Sequence, residues 1–555
     1  MKTRILRSVA AAAMCAAAAF GATAQQFEYD DLYYNILPDN TVEVKSAYPD
    51  EYSGDVVIPR QVSYNGSTYT VTGIGAQAFA RSEITSIEIP NTVSSIGEKG
   101  IYQCHGLVSI MIPASVESIG EQAFASCVNL TEINVDAENE YFCSIDGVLY
   151  SKDVTTLHAC PGTKTEIDIP ATVKEIVGGA FYCCMDLKDF EMPASLESIG
   201  DMAFFECLSL TKIELPDNLQ SLGTNAFYRC ENLESVSIGK NLNGMGMTPF
   251  CECCKLTNVT IDEANLGYVA IDNVVYARQG TQVADGMVLL WGAGGLQSAT
   301  IPDGVSVISD YAFSECKELA SVEIPNSVRE IRNEAFSQCE SLAEVTIPKS
   351  VNNMGYNVFR NCAKLAKASF ADGIGLKTIP NGTFGGCGFT TFAVPDGFTS
   401  IEGSSFSSCE SLVSVTIGSG VQIVGNLAFL NCNALKSVYC MAAVPPSTES
   451  GDYYNYYVFE QTVCEQATLY VPVGSRADYA ADTEWGRFKN IVETDFAGVE
   501  NAVADSGNIK IYAADGTISV SGVADGTVVE VYGIGGGCVY CGTGSVVDGL
   551  SAGIY

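Results

Sequence analysis

Residues 206–228 read ECLSLTKIELPDNLQSLGTNAFY, and residues 315–337 read ECKELASVEIPNSVREIRNEAFS. The two stretches match slot for slot: Cys207 with Cys316, Leu210 with Leu319, Pro216 with Pro325, Phe227 with Phe336. The shared pattern is C-x-x-L-x-x-I-x-I-P-x-x-V-x-x-I-G-x-x-A-F-x-x. Its closing aromatic recurs as Ala-Phe at Phe79, Phe124, Phe181, Phe204, Phe227, Phe313, Phe336 and Phe429, and without the alanine at Phe250, Phe359, Phe384 and Phe406. Tyr102 is assigned to the same slot. From Phe181 to Phe250 each step is 23 residues. Self-similarity at a fixed short period marks a stacked-repeat architecture.

Physical chemistry assigns the parts of one repeat. The L-x-x-I-x-I stretch ends in alternation, the requirement of a short strand with one buried face. Leu210, Ile213 and Leu215 therefore point inward, and Pro216 closes the strand because it has no N–H for a ladder. The I-G-x-x-A-F-x-x-C stretch is too short for a long helix and suits one or two helical turns or a plain turn. A coil of this size cannot bury its apolar positions alone, so stacked coils must share one core. The expected fold class is an α/β solenoid of about thirteen coils, each a short parallel strand plus a short helix or turn.

The repeated IP-x-x-V-x-x-IG-x-x-AF-x-x-C-x-x-L run resembles the BspA-like leucine-rich repeats of bacterial surface proteins, across roughly residues 27–498. That resemblance implies a surface or secreted binding protein. Two longer steps, from Phe124 to Phe181 and from Phe250 to Phe313, hold inserts near 136–169 and 262–301. Each is expected to be a β-hairpin standing off the coils, on the Asp146-Gly147 turn signal in the first and on the family's habit. The remaining division is 25–72 as a β-rich N-terminal cap, 73–439 as the solenoid, 440–498 as irregular last coils and a cap anchored by Trp485 and Phe488, and 499–555 as a linker and small all-β module. The last segment, with VEVY and GIY, resembles a secretion sorting domain.

Targeting and charge limit the function. Lys2, Arg4 and Arg7, an apolar run to Phe20, and Ala22-Thr23-Ala24 make residues 1–24 a secretory signal peptide. No later stretch is long and apolar enough for a membrane span. With 29 Lys+Arg against 65 Asp+Glu, the net charge of −36 repels phosphate backbones, so nucleic acid is not an expected partner. The chain has 22 cysteines but only two histidines, His105 and His158. Twelve cysteines (Cys104, Cys127, Cys184, Cys207, Cys230, Cys253, Cys316, Cys339, Cys362, Cys387, Cys409 and Cys432) share one repeat slot. They read as a reduced packing ladder, since thiols buried in parallel do not converge as a disulfide requires. Cys251, Cys253 and Cys254 have no histidine near them in sequence, and Cys538 and Cys541 sit among glycines in a β-rich tail. No catalytic, cofactor-binding or metal-ligating set is expected, and no recognised catalytic motif occurs.

Binding is therefore expected on the open strand face, through the residue between the two inward ones. That row runs Glu88, Met111, Asn134, Glu191, Glu214, Ser237, Thr260, Glu323, Thr346, Ser369, Ala393, Thr416 and Tyr439. The candidate ligand residues are Glu88, Glu191, Glu214, Glu323, Thr346, Thr416 and Tyr439. A protein partner, host matrix or another cell surface, fits a polar row holding one aromatic; a glycan partner is the alternative, and an enzyme is not expected.

Overall fold

The computed structural model describes residues 25–47, 52–278, 286–395, 397–448 and 457–496, with the backbone of five strands between 510 and 547. The signal peptide, the 499–509 linker, most of the tyrosine cluster at 453–459 and the Cys538 and Cys541 side chains lie outside the described residues. The chain divides into two units, Met1–Ala299 with Gly304–Leu319, and Thr300–Asp303 with Ala320–Tyr555.

The first unit is a β-solenoid whose coils hydrogen-bond to one another along three faces. On the strand face, Lys212–Leu215, Ser235–Ile238 and Asn258–Ile261 pair in parallel, with Ile213, Val236 and Val259 aligned and buried. On a second face, two-residue strands pair in parallel: Ser198–Ile199, Ser221–Leu222 and Gly244–Met245. On the third face the chain is a turn. Here Met202, Phe204 and Glu206 donate backbone N–H groups to Thr224, Ala226 and Tyr228 of the next coil at 2.9, 2.7 and 2.9 Å.

Of helix or turn, the third face takes the turn, for a backbone reason. Two residues four apart in each coil have left-handed φ, for example Met202 (53°) with Glu206 (57°), and Asn225 (54°) with Arg229 (56°). A right-handed helix cannot pass through such residues. The conformation aims alternate N–H groups at the neighbouring coil, so backbone pairing replaces intrahelical pairing. The glycine of the I-G step has its own cause: a Cβ on Gly223 would lie 2.4 Å from Asp201 N and Gly200 C, because successive coils touch backbone to backbone at that corner.

Inside, the phenylalanines stack at the coil rise. Phe181, Phe204, Phe227 and Phe250 have ring centroids 4.6, 4.8 and 5.1 Å apart. The slot assigned to Tyr102 belongs instead to Ile101, which is fully buried and donates its N–H to Ala123 O. Tyr102 lies one position out, on the half-buried edge of the turn face.

Each insert is a hairpin, but neither stands off the coils. Phe142–Ile145 pairs antiparallel with Val148–Ser151, and the next strand, Thr156–Ala159, joins the two-residue ladder beside Glu175–Ile176. Tyr268–Ile271, Val274–Arg278 and Met287–Gly292 repeat this, the last pairing in parallel with Val305–Ile308. The hairpins carry apolar residues that belong in the core: Leu149, Tyr150, Leu157, Val275 and Tyr276 are all buried. The inserts therefore add rungs to the expected set. A buried asparagine opens each one. Asn139 donates to Pro113 O and Val116 O and accepts from the N–H groups of Tyr141 and Phe142. Asn265 does the same with Gly239, Leu242, Gly267 and Tyr268.

The strand face is not one unbroken sheet. Residues 187–193 form no strand. The Asp189 carboxylate accepts the N–H groups of Thr211 (2.6 Å) and Lys212 (3.1 Å), taking donors that a preceding strand would have used.

At the N-terminal end, Gln26–Tyr29, Leu32–Ile36 and Thr41–Val44 form antiparallel pairs, and the last pairs in parallel with Ser67–Ile74. That strand starts the two-residue ladder beside Ser95–Ile96.

The second unit repeats the design. Thr391–Ala393, Ser414–Ile417, Ser437–Cys440, Thr468–Pro472 and Asn490–Thr494 form one parallel sheet. The ring stack from Phe336 to Phe429 gains a member the repeat pattern does not show, Phe459, parallel to Phe429 at 5.1 Å. Short helices Gln461–Gln466 and Arg476–Ala481 cover the end. Trp485 and Phe488 are buried there, and the Trp485 indole donates to Pro446 O at 2.8 Å. Beyond them, Lys510–Ala514 with Thr517–Ser521, and Val529–Tyr532 with Cys538–Gly542, form antiparallel pairs.

Candidate binding surfaces

Strand pleat decides what each coil shows outward, because successive side chains alternate faces. Glu88, Glu191, Glu214, Glu323 and Thr346 are exposed; Thr416 and Tyr439 are half-buried. Parallel register gathers them into separate blocks. Glu214 aligns with Ser237 and Thr260. Thr346 aligns with Ser369, and Thr416 with Ala393 and Tyr439. Glu88 aligns with Val57, on a two-stranded sheet of its own. Glu191 lies in the strandless stretch 187–193, so its assignment to a strand is corrected.

Nor is the acidic character of the row free charge throughout. Lys212, two residues along the same strand, forms an ion pair with Glu214. That carboxylate holds the Lys212 ammonium above its usual range. At the far end the aligned residue after Tyr439 is Tyr470, and after that Val492. The Tyr439 and Tyr470 rings stack at 4.6 Å and 11°, and burial pushes the Tyr439 phenol up to about 12. The aromatic content of the row is thus two rings rather than one. Tyr470 was legible in ATLYVP, whose Leu469 and Val471 alternate as in every other coil. Stacked rings cover one another's faces and leave edges and hydroxyls outward, which suits hydrogen bonding more than sugar stacking.

The turn face carries a second row. Tyr182, Phe205 and Tyr228 stack at 4.4 and 5.0 Å. Beside them Arg229 holds Glu206 at 2.6 Å and Glu252 at 3.2 Å. Burial, then the Glu315 charge, raises the Glu252 carboxyl above its usual range.

All twelve ladder cysteines are buried and free. Most do more than fill space. Cys230 donates its S–H to Phe204 O at 3.2 Å, Cys253 to Phe227 O at 3.2 Å, and Cys432 to Phe406 O at 3.0 Å. Cys184 and Cys316 follow inserts and turn to Pro161 O and Ala293 O, both at 3.7 Å. Among the described residues no group of histidine, cysteine and carboxylate side chains has the arrangement of a metal site. His105 is exposed. His158 packs edge-on against Phe142 in the first insert, and burial lowers its pKa to about 4. Among the described residues no helix is long and apolar enough to cross a membrane.

A family model for the BspA-type leucine-rich repeat region matches residues 66–151, 155–274, 291–376 and 377–471, in six copies and over more than half of the chain. The chain belongs to the BspA-type leucine-rich repeat family. No curated protein matches it. Solved structures to which the chain is similar include a leucine-rich cell-surface protein from Faecalibacterium prausnitzii A2-165, at 22% identity over 76% of this chain and 95% of that one, TM-score 0.40. A leucine-rich repeat protein from Eubacterium ventriosum is 19% identical over 78% and 97%, TM-score 0.42. The pneumococcal vaccine antigen PcpA is 15% identical over 85% and 99%, TM-score 0.31.

Proposed function

We propose that this BspA-type protein is exported and acts at the cell surface or outside it as a non-enzymatic binding scaffold, an adhesin whose strand face takes a protein partner on host matrix or another cell. The carrying observation is register: Glu214, Ser237 and Thr260 stand side by side on strands whose backbones are already paired. A pre-ordered polar face loses little entropy on docking. The net charge of −36 favours a partner of basic character, with an on-rate that falls as salt rises past about 0.15 M. The C-terminal module is proposed to serve export or attachment.

The test is binding of the purified chain to a panel of immobilised matrix proteins, with Ser237→Arg/Thr260→Arg and Ala393→Arg/Thr416→Arg as strand-face variants. At least one should lose tenfold or more in affinity while unfolding at the wild-type temperature. Undiminished binding by both would refute the strand-face assignment, and absence of the chain from the cell surface and medium of its host would refute export.

A further inference from the structure

Arg81 lies between two clefts on the turn face of the first coils. One, of about 460 Å³, is lined by Tyr52, Gln77, Arg81, Lys99 and Tyr102 among others. The second, of about 530 Å³, is lined by Arg81, Ser82, Glu83, Gln103, His105 and Gly106. Arg81 and Ser82 are common to both, so the two make one trough. Its volume is in the range of small-ligand sites.

The charge of the first cleft is unusual for this chain. Acids outnumber bases 65 to 29 overall, yet among the described residues the lining of this cleft has two cations, Arg81 and Lys99, and no carboxylate. Elsewhere Lys174, Lys240 and Arg229 each face a carboxylate at 3.0 Å or less. Arg81 makes its side-chain hydrogen bond to an amide, Nε to Gln103 Oε1 at 3.2 Å. That bond fixes the guanidinium plane and leaves both terminal nitrogens for a bidentate anion. Lys99 is 3.4 Å from Glu98, whose side chain is 63% exposed; so open a pair is weak and easily exchanged. The position of these groups comes from the backbone: Gln77, Arg81, Lys99 and Gln103 are the left-handed residues of two successive coils, at φ 56°, 65°, 54° and 56°.

We propose that this trough binds an acidic saccharide, its charged sugar in the Arg81–Lys99 cleft and the adjoining neutral sugar in the cleft of Gln103 and Glu83. Arg81 and Lys99 meet the carboxylate or sulfate. The amides of Gln77 and Gln103, each donor and acceptor, meet hydroxyls. Glu83 accepts from hydroxyls and repels a second anion, which selects a charged unit followed by a neutral one over a run of charges. An acidic peptide would bring a charge to both clefts and would need its backbone groups paired as well. The Arg81–Lys99 cleft lies on the turn face, while Glu83 opens the strand Glu83–Glu88 that carries the first residue of the strand row; the charged subsite stands whether or not that row takes a protein.

The probe is a hyaluronan tetrasaccharide, in which charged and neutral sugars alternate, titrated into the full chain by calorimetry. Chitotetraose is the neutral control and tetraglutamate the peptide control. Wild type should bind hyaluronan tetrasaccharide in the micromolar to millimolar range, more weakly as salt rises. Arg81→Gln and Lys99→Gln should each weaken it tenfold or more. Both are surface changes, and glutamine already occupies left-handed slots at Gln77 and Gln103, so the unfolding midpoint should not move. Arg60→Gln, outside the trough lining, should bind as wild type. No binding by wild type, or equal binding by Arg81→Gln, overturns the site. Equal binding of chitotetraose removes the role of charge, and tighter binding of tetraglutamate overturns the saccharide assignment.

Discussion

Asn139→Ala should be among the most damaging single changes in the first insert. The side chain is 1% exposed. Its amide donates to Pro113 O at 2.9 Å and Val116 O at 3.0 Å, and its carbonyl accepts from Tyr141 N at 2.8 Å and Phe142 N at 2.7 Å. A net hydrogen bond contributes about 1 kcal/mol, and a buried group left without a partner loses more. Four bonds give about 4 kcal/mol, equivalent to roughly a thousandfold rise in local opening. Hydrogen exchange read by mass spectrometry across the hairpin Phe142–Ser151 measures it. Tyr141 and Phe142 amides should lose protection first, followed by the hairpin and then adjacent coils, because each coil is held mainly by its neighbours. Asn139→Asp separates the two halves of the account. Its carboxylate still accepts from both N–H groups but faces two carbonyls in a dry site, so its folded-state pKa rises above the unfolded value. A raised pKa means that the stability is present at low pH and lost as pH rises through the folded value. Asn139→Asp should therefore be closer to wild type at pH 5 than at pH 8. Protection within a factor of three of wild type for Asn139→Ala, or no pH trend for Asn139→Asp, would refute this role for the asparagine.

Phe204→Ala removes a ring stacked on both sides and should cost about 3–5 kcal/mol in denaturant unfolding. Gly223→Ala puts a methyl 2.4 Å from backbone of the preceding coil; a shift of the unfolding midpoint worth about 1–3 kcal/mol is expected, and an unchanged midpoint would contradict the close corner. Native protein at pH 8 should expose Cys143 and Cys254 to iodoacetamide before any ladder cysteine, since burial raises Cys207, Cys253 and Cys387 well above the ordinary thiol range; early labelling of the ladder would show it to be open. His158 has a folded pKa of about 4 against about 6.5 in the unfolded chain. The unfolded state takes up that proton first, so stability should be level above pH 7 and fall between 6.5 and 4 by up to about 3 kcal/mol. His158→Gln should remove that part of the acid limb, read as the difference between the two stability curves.

The repeat made the main lines of this fold legible. The apolar alternation of Ile213 and Leu215, the proline that stops them and the aromatic at the end of the coil each follow from short-range rules. What escaped was set by neighbours across coils. Tyr102 stood in a plausible slot by spacing, but the cysteine three residues beyond the ring position fixes the register, and it points to Ile101. The paired left-handed residues carry no composition signal: Gln, Met, Glu, Arg, Tyr and Leu all occupy them. Their conformation is imposed by inter-coil backbone bonds, which no single coil reveals. Asn139 and Asn265 did leave a trace, the same D-x-x-N step at the head of both inserts. Of the candidate row, the outward direction of Glu214, Glu323 and Thr346 followed from alternation. The off-strand place of Glu191 goes with Asp189, two residues before it, capturing the donors of Thr211 and Lys212.

These cross-coil bonds also explain how so acidic a chain stays folded and where it can vary. The core of each unit is made of apolar columns and of thiols bonded to carbonyls, and most backbone groups pair between coils, with side chains such as Asp189 taking donors where the strand face is broken. Most charge therefore sits at positions that point away from the stack, where water screens it; Glu484 is an exception, buried against Arg487 and accepting from the N–H groups of Val458 and Phe459. A coil can exchange Glu for Thr on the strand face, or Met202 for Asn225 in the corresponding turn slot, without altering the ladder beneath. Binding chemistry can thus be written on the strand and turn faces independently of the scaffold. The Arg81 trough is the case where this freedom matters most. Four slots that need only a tolerable left-handed backbone carry Gln, Arg, Lys and Gln there. A cleft whose described lining holds two cations and no carboxylate, in a chain of net charge −36, is not something the packing of these coils required.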